Sequence, residues 1–170
     1  MKRKLCLYTI SIKYIRDLHR VDDNVPSVSP QIGKAHRTFL GIVVTSGGKK
    51  YCIPLASPKA KHQSMKDRAD FIKVYNEHEK LIAVLNLNFM IPVCDAVIEK
   101  YNFNIEESDT EYWKHYKSLC RKELEWCRKH EKLITDKVSA LYAMYNRKPS
   151  IRQRVFCPIP TDNSLTPSSR

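Results

Sequence analysis

The sequence predicts an α+β domain in which an antiparallel sheet is covered by helices. Short apolar segments punctuated by turn residues fill roughly the first hundred positions. From Asp109 to Asn146 there is then no Gly or Pro, and apolar residues recur at helical spacing. Strands first and long helices afterwards is the order of that fold class. At 170 residues the chain can bury one core of its own.

Leu5–Ile10 reads as a short buried strand. Ser11 caps a helix beginning at Ile12, with Tyr14, Ile15 and Leu18 on one face. Asp22 to Pro30 is a polar loop with two prolines. Thr38–Thr45 and Lys49–Leu55 flank Ser46-Gly47-Gly48, a β-hairpin signal, and Ser57-Pro58 ends its second strand. Residues 60–70 are polar, a loop with room for a helical turn. Phe71–Tyr75 and Leu81–Phe89 read as two further strands, and Ile91–Ile98 as another. Trp113, Tyr116, Cys120, Leu124 and Cys127 mark one amphipathic helix. A second carries Leu133 or Ile134, Val138, Leu141 or Tyr142, and Tyr145, with a break near His130. The expected organisation is a single domain over residues 1–148, followed by an irregular Pro- and Ser-rich tail over 149–170.

Charge is unevenly placed. Lys and Arg number 30 against 18 acids, for a net charge of +12. From Asn24 to Met65 there is no acid, while Lys34, Arg37, Lys49, Lys50, Lys59 and Lys61 lie in that stretch with His36 and His62, and Lys66 follows it. A surface of one sign suits a polyanion, since each phosphate neutralised releases a condensed counterion. No apolar run is long enough to cross a bilayer, and the apolar segment after the basic start is too short and interrupted for a signal peptide. The reading is cytoplasmic, without a membrane partner. Six cysteines show no C-x-x-C spacing, which argues against a structural zinc site, and Cys120 and Cys127 read as small buried apolar side chains.

Two basic, hydroxyl-bearing segments carry the chemistry. Pro54-Leu55-Ala56-Ser57-Pro58-Lys59 closes one hairpin strand, and Lys34-Ala35-His36-Arg37 precedes the other. Antiparallel pairing brings Thr38 and Ala56 together, so both segments converge at one sheet end. A metal-dependent nuclease needs carboxylates to hold its ion, and this stretch has none. Arg37 and Lys59 can instead stabilise a phosphorane directly. The nucleophile must then come from the substrate, and RNA supplies its 2′-OH. The expected products are a 2′,3′-cyclic phosphate and a 5′-OH, with DNA inert. His36 and His62 are candidate proton shuttles and RNA contacts, or ordinary surface histidines. No cofactor is expected.

The chain also resembles a family along these same residues. Tyr8-Thr9-Ile10-Ser11-Ile12-Lys13-Tyr14-Ile15, Phe39-Leu40-Gly41-Ile42-Val43-Val44, Pro54-Leu55-Ala56-Ser57-Pro58-Lys59 and Leu85-Asn86-Leu87-Asn88-Phe89-Met90-Ile91-Pro92 occur in the order of the ToxN/AbiQ toxins, with the CptN branch a suitable placement. The match covers about residues 7–98. It implies a twisted, barrel-like antiparallel sheet related to the Kid/MazF toxins, with added helices. It implies a metal-independent, sequence-selective endoribonuclease of a type III toxin–antitoxin system, acting on cellular and phage RNA in abortive infection. It further implies an RNA antitoxin, a repeated pseudoknot that the toxin cuts from a precursor and holds in a closed RNA–protein assembly.

Ser57 and Lys59 match the family's Thr-Ser-Pro-Lys motif, with Ala56 in place of its Thr. The family's basic residue before the Phe-x-Gly strand falls on Arg37 without a gap, or on Lys34 if the loop carries an insertion. The expected catalytic set is therefore Arg37, Ser57, Lys59 and Lys34. The expected RNA contacts add Lys49, Lys50, Tyr51, Lys61 and Lys66. Asn86 and Asn88, if on one strand face, either read base edges or bond a neighbouring turn. Tyr14, Tyr51 and Phe89 are either stacking platforms or core. The alternative is a non-catalytic nucleic-acid-binding protein using the same basic face, or a structural ribonucleoprotein component. No helix-turn-helix or zinc-finger pattern supports the former.

Overall fold

The computed structural model describes residues 4–23, 25, 37–44 and 48–147. The expectations for Lys34, His36, most of the loop to Pro30, the first residues of the hairpin turn and the tail fall outside them. The strands are β1 (Cys6–Ile10), β2 (Phe39–Val44), β3 (Lys50–Ala56), β4 (Phe71–Tyr75), β5 (Leu81–Asn86), β6 (Ile91–Pro92) and β7 (Ile98–Lys100). The helices are α1 (Ile12–Val21), α2 (Ala60–Ser64), α3 (Glu111–Lys129) and α4 (Glu131–Arg147).

All pairings are antiparallel, in the order β4-β5-β3-β2-β1-β7, with β6 also paired to β3. The α+β class holds. The sheet is not closed: it runs from β4 at one edge to β7 at the other.

Strand β3 is central and buried on both faces, so its side chains divide between two cores. Tyr51, Ile53 and Leu55 join Leu5, Leu7, Leu40, Ile72, Val74 and Leu85 beneath α3 and α4, which contribute Cys120, Leu124, Cys127, Ile134, Val138 and Leu141. On the other face Cys52 packs with Ile10, Phe39 and Ile91 against Ile15 and Leu18 of α1. Farther along that face a small cluster of Phe71, Leu81 and Val84, with Ala56 and Met65, lies beside α2. The strand period of two accounts for this division. The helical period likewise selects Ile134 over Leu133, which is 43% exposed. The break at His130 is as expected: its N–H still donates to Trp126 O, at 3.0 Å, before α4 begins.

Two strands are shorter than the sequence suggests. Leu81–Phe89 ends as a strand at Asn86, and Leu87–Phe89 is a 3₁₀ turn. Pro54 supplies the reason. Leu55 N–H donates to Thr38 O of the β2 side (3.3 Å), so the alternation of an antiparallel ladder turns the Pro54 nitrogen toward β5, at the level of Asn86. It has no hydrogen to donate, and pairing stops there. Ile91–Ile98 is likewise not one strand. It divides into β6, a 3₁₀ turn at Asp95–Val97 and the start of β7.

Gly41 explains the Phe-x-Gly pattern of β2: a Cβ there would lie 2.5 Å from Cys52 Sγ, inside a fully buried site.

One buried group carries a pH signature. Glu123 of α3 is 7% exposed, and burial pushes its carboxyl up to about 8. Its folded-state value thus lies above its unfolded one. The stabilising contribution is complete below the unfolded value and is lost as pH rises toward about 8. The loss is on the order of a few kcal/mol. Glu123→Gln should remove it. Urea midpoints of the wild type should fall between about pH 5 and pH 8 relative to those of the variant. Parallel pH profiles for the two proteins would contradict the assignment.

Candidate active site at the end of β3

The pairing of β2 with β3 assembles the site. Phe39 lies opposite Pro54 and Leu40 opposite Ile53. The same register carried one step past the Leu55–Thr38 bond sets Arg37 opposite Ala56, beside Ser57. Thr38 anchors this end. It is buried, and its side chain is hydrogen-bonded to Tyr116 and Cys120 of α3. Arg37, the next residue outward, is half-buried, whereas Ser57 and Lys59 are exposed. Of the two segments expected to converge, Arg37 is brought to the Ala56–Ser57 end, while Lys34 and His36 lie outside the described residues.

Pro58 separates Ser57 from Lys59, which stands at the N-cap of α2. Here the structure gives His62 a different place from the one expected. The ring is buried, only 9% exposed, and lies 6.3 Å from the Phe71 ring between centroids. Its Nδ1 accepts the Lys59 N–H at 2.8 Å, and the His62 N–H donates to Lys59 O, also at 2.8 Å. Burial first, then Lys61, Lys59 and Lys73, hold the imidazole below its ordinary value. It is therefore a neutral ring with its proton on Nε2. A shuttle needs a ring reachable by substrate, and this one is packed away.

Lys73 is a cation that sequence reasoning missed. Alternation along Phe71–Tyr75 puts it on the same face as Phe71, and its Nζ donates to Gln63 O of α2 at 3.4 Å. Lys59, Lys61 and Lys73 thus surround His62. Among the described residues, no acid pairs with Arg37, Lys59, Lys61 or Lys66. Lys61 and Lys66 are both exposed. The described residues contain no group of three or more His, Cys, Asp or Glu side chains placed to hold a metal ion.

Other expected contacts lie elsewhere. Lys49 and Lys50 are at the start of β3, ~23 Å along the strand from Ser57, and Lys50 pairs with Asp95 at 3.6 Å. Tyr51 is no stacking platform: it is fully buried, with its ring 6.4 Å from that of Tyr142. Tyr14 is half-buried, and its hydroxyl donates to Pro92 O at 2.6 Å. Asn86 and Asn88 do not share a strand face, because Asn88 lies in the 3₁₀ turn. Its Nδ2 donates to Asp70 Oδ2 at 3.0 Å, so it bonds the turn before β4. Asp70 also lies 3.8 Å from the Arg68 guanidinium. Phe89 stays 38% exposed, and Asn86 is half-buried two positions along β5 from Val84, the partner of Ala56.

With this geometry in view, the chain matches known proteins over most of its length. The family model of toxin ToxN, type III toxin–antitoxin system, covers residues 6–160. Endoribonuclease ToxN of Pectobacterium atrosepticum is 31% identical over 79% of this chain and 77% of its own length. Endoribonuclease ToxN of Bacillus thuringiensis subsp. kurstaki is 29% identical over 90% of this chain and 78% of its own. A solved structure from work on a processed non-coding RNA that regulates a bacterial antiviral system has a TM-score of 0.71 at 31% identity, covering 84% of this chain and 86% of that one. Another, from a type III system with selective toxin inhibition by a non-coding RNA pseudoknot, has a TM-score of 0.70 at 25% identity, covering 89% and 87%. AbiQ, a lactococcal anti-phage endoribonuclease, shares the fold with a TM-score of 0.69 at 20% identity over 82% and 81%. The chain belongs to the ToxN toxin family of type III toxin–antitoxin systems.

Proposed function

We propose that this endoribonuclease cuts RNA at the end of β3 without a metal ion, and that Arg37, Ser57 and Lys59 form its reaction site. The observation that carries the reading is the strand register that brings Arg37 to the same sheet end as Ser57 and Lys59, with no acid paired to either cation among the described residues. A guanidinium and an ammonium with no acidic partner among the described residues keep their field for the substrate phosphate. They stabilise the charge that develops on its non-bridging oxygens. Ser57 adds a hydroxyl that can donate to the same group. The attacking oxygen is the neighbouring 2′-OH of the RNA. The P–O2′ bond forms as the P–O5′ bond breaks, leaving a 2′,3′-cyclic phosphate and a 5′-OH. Lys61, Lys66 and Lys73 extend the positive surface along the backbone of the bound strand. Lys34 and His36, outside the described residues, remain candidates from the sequence.

The RNA partner follows from the relatives. A solved relative is inhibited by an RNA pseudoknot. In this chain the equivalent RNA would be cut from its precursor at the Ser57–Lys59 end and then retained there as product, in a closed assembly in the cytoplasm. No helix among the described residues is long and apolar enough to cross a membrane.

Two experiments test the reading. Cleavage of a single-stranded RNA should survive EDTA and leave a cyclic phosphate, and a single 2′-deoxy substitution at the cut position should stop it. Loss of cutting in EDTA, restored only by Mg²⁺ or Mn²⁺, would contradict the mechanism. Lys59→Ala, Ser57→Ala and Arg37→Ala should each fold normally and lower the rate roughly 10²–10³-fold, the effect of removing one donor to developing charge. Folded variants that still arrest growth would overturn the site.

A further inference from the structure

Lysine is an unusual residue to find capping a helix. N-caps are Ser, Thr, Asp or Asn because their side chains accept a hydrogen bond from the first turn, and an ammonium has no acceptor. At five residues, α2 is also too short to hold itself by propagation. The hydrogen bonds across the Lys59–His62 turn are reciprocal: Lys59 N–H to the His62 ring, and His62 N–H to Lys59 O, both 2.8 Å. The first is the half of a capping box that Glu or Gln at the third helical position ordinarily makes. The ring that makes it is buried and packed beside Phe71 of β4, so the turn is referred to the sheet itself.

We infer that His62 is a positioning residue for catalysis, fixing the Lys59 backbone, and with it the direction of the Lys59 ammonium, through its Nδ1 acceptor. The inference rests on the reading of Lys59 given above. It explains why a buried histidine stands here: a cation at the cap position cannot make the cap side chain's half of the box, and the His62 ring makes the other half, holding the Lys59 N–H. It also makes the site sensitive to acid. Protonation puts a hydrogen on Nδ1, and the Lys59 N–H then faces a donor instead of an acceptor. The charged groups facing the ring are Lys59, Lys61 of its own helix and Lys73 of β4. None of them favours an imidazolium, so the neutral ring persists at neutral pH and the bond fails only below the ordinary histidine range.

Two substitutions separate the bond from the packing. His62→Gln restores an acceptor of capping-box type but cannot titrate. His62→Phe fills the space beside Phe71 but cannot accept. Steady-state cleavage of one RNA oligonucleotide would be followed between about pH 5 and pH 8, with Lys59→Ala as the reference. His62→Phe should lower kcat about 10–100-fold at neutral pH, with KM within about twofold, because positioning is lost and RNA binding is not. His62→Gln should recover most of kcat and show a weaker acid fall than the wild type. His62→Phe cutting at the wild-type rate would overturn the inference. So would His62→Gln being as slow as His62→Phe, or keeping the wild-type acid limb. Each of those results leaves the reaction site standing if Lys59→Ala is inactive. An active Lys59→Ala would overturn both readings, and a wild type that cuts no RNA would overturn the enzymatic reading and this inference with it.

Discussion

Strand β3 must satisfy neighbours along both edges and apolar cover on both faces, and the site lies where that demand ends. Its odd residues feed the core under α3 and α4 and its even residues the smaller clusters opposite. A strand so enclosed cannot slip by one residue without turning Tyr51, Ile53 and Leu55 out of the large core. The register is therefore rigid, and so is the meeting of Thr38 with Leu55. Arg37 on one side and Ala56 on the other are simply the next residues out, and Ser57 follows Ala56. Thr38, tied to Tyr116 and Cys120, extends the same rigidity into α3. In the proposed mechanism, pre-organisation of this kind would let the cations act on a phosphate without first being ordered by it.

Charge is managed differently on the two sides of the sheet. On the helical side cations are paired: Lys117 with Asp109 at 2.7 Å in a largely buried contact, Lys122 with Glu77 at 3.5 Å, and Lys114 with Glu111 at 3.0 Å. Asp109 is held below the usual carboxylate range by the Glu106 N–H and by Lys117. Around α2 the cations Lys59, Lys61 and Lys66 have no acidic partner among the described residues. Surface pairs contribute little to stability, so this difference matters less for folding than for the field presented to a ligand. Mutual repulsion around α2 is tolerated because the ring at the centre of the lysines stays neutral.

Much of this was legible in the sequence. The long helices, their break at His130 and the hairpin were readable because each follows from a period or a turn signal over many residues. The convergence of Arg37 with Ser57 was readable because antiparallel pairing requires it. What was not readable depends on contacts distant in sequence. Tyr51 alternates like a surface aromatic, yet both faces of β3 are covered. Asn88 looked strand-borne until the missing N–H of Pro54 ended β5. His62 reads as a basic surface residue because nothing local shows that Phe71 will lie beside it. Lys73 was hidden by the opposite error, since a lysine in an apolar strand reads as an outward-facing charge with no site attached. Asp70 lies beyond the acid-free stretch in sequence and next to Asn88 in space.

A structure of the protein with a cleaved RNA would show whether a single phosphate is held between the two strand ends. The terminal phosphate should lie within hydrogen-bonding distance of Ser57 Oγ, the Lys59 ammonium and the Arg37 guanidinium, with the Lys59 N–H still on His62 Nδ1. An RNA end bound elsewhere, for instance in the cleft lined by Tyr75, Trp126 and His130 on the helical side, with Ser57 and Lys59 untouched, would contradict it.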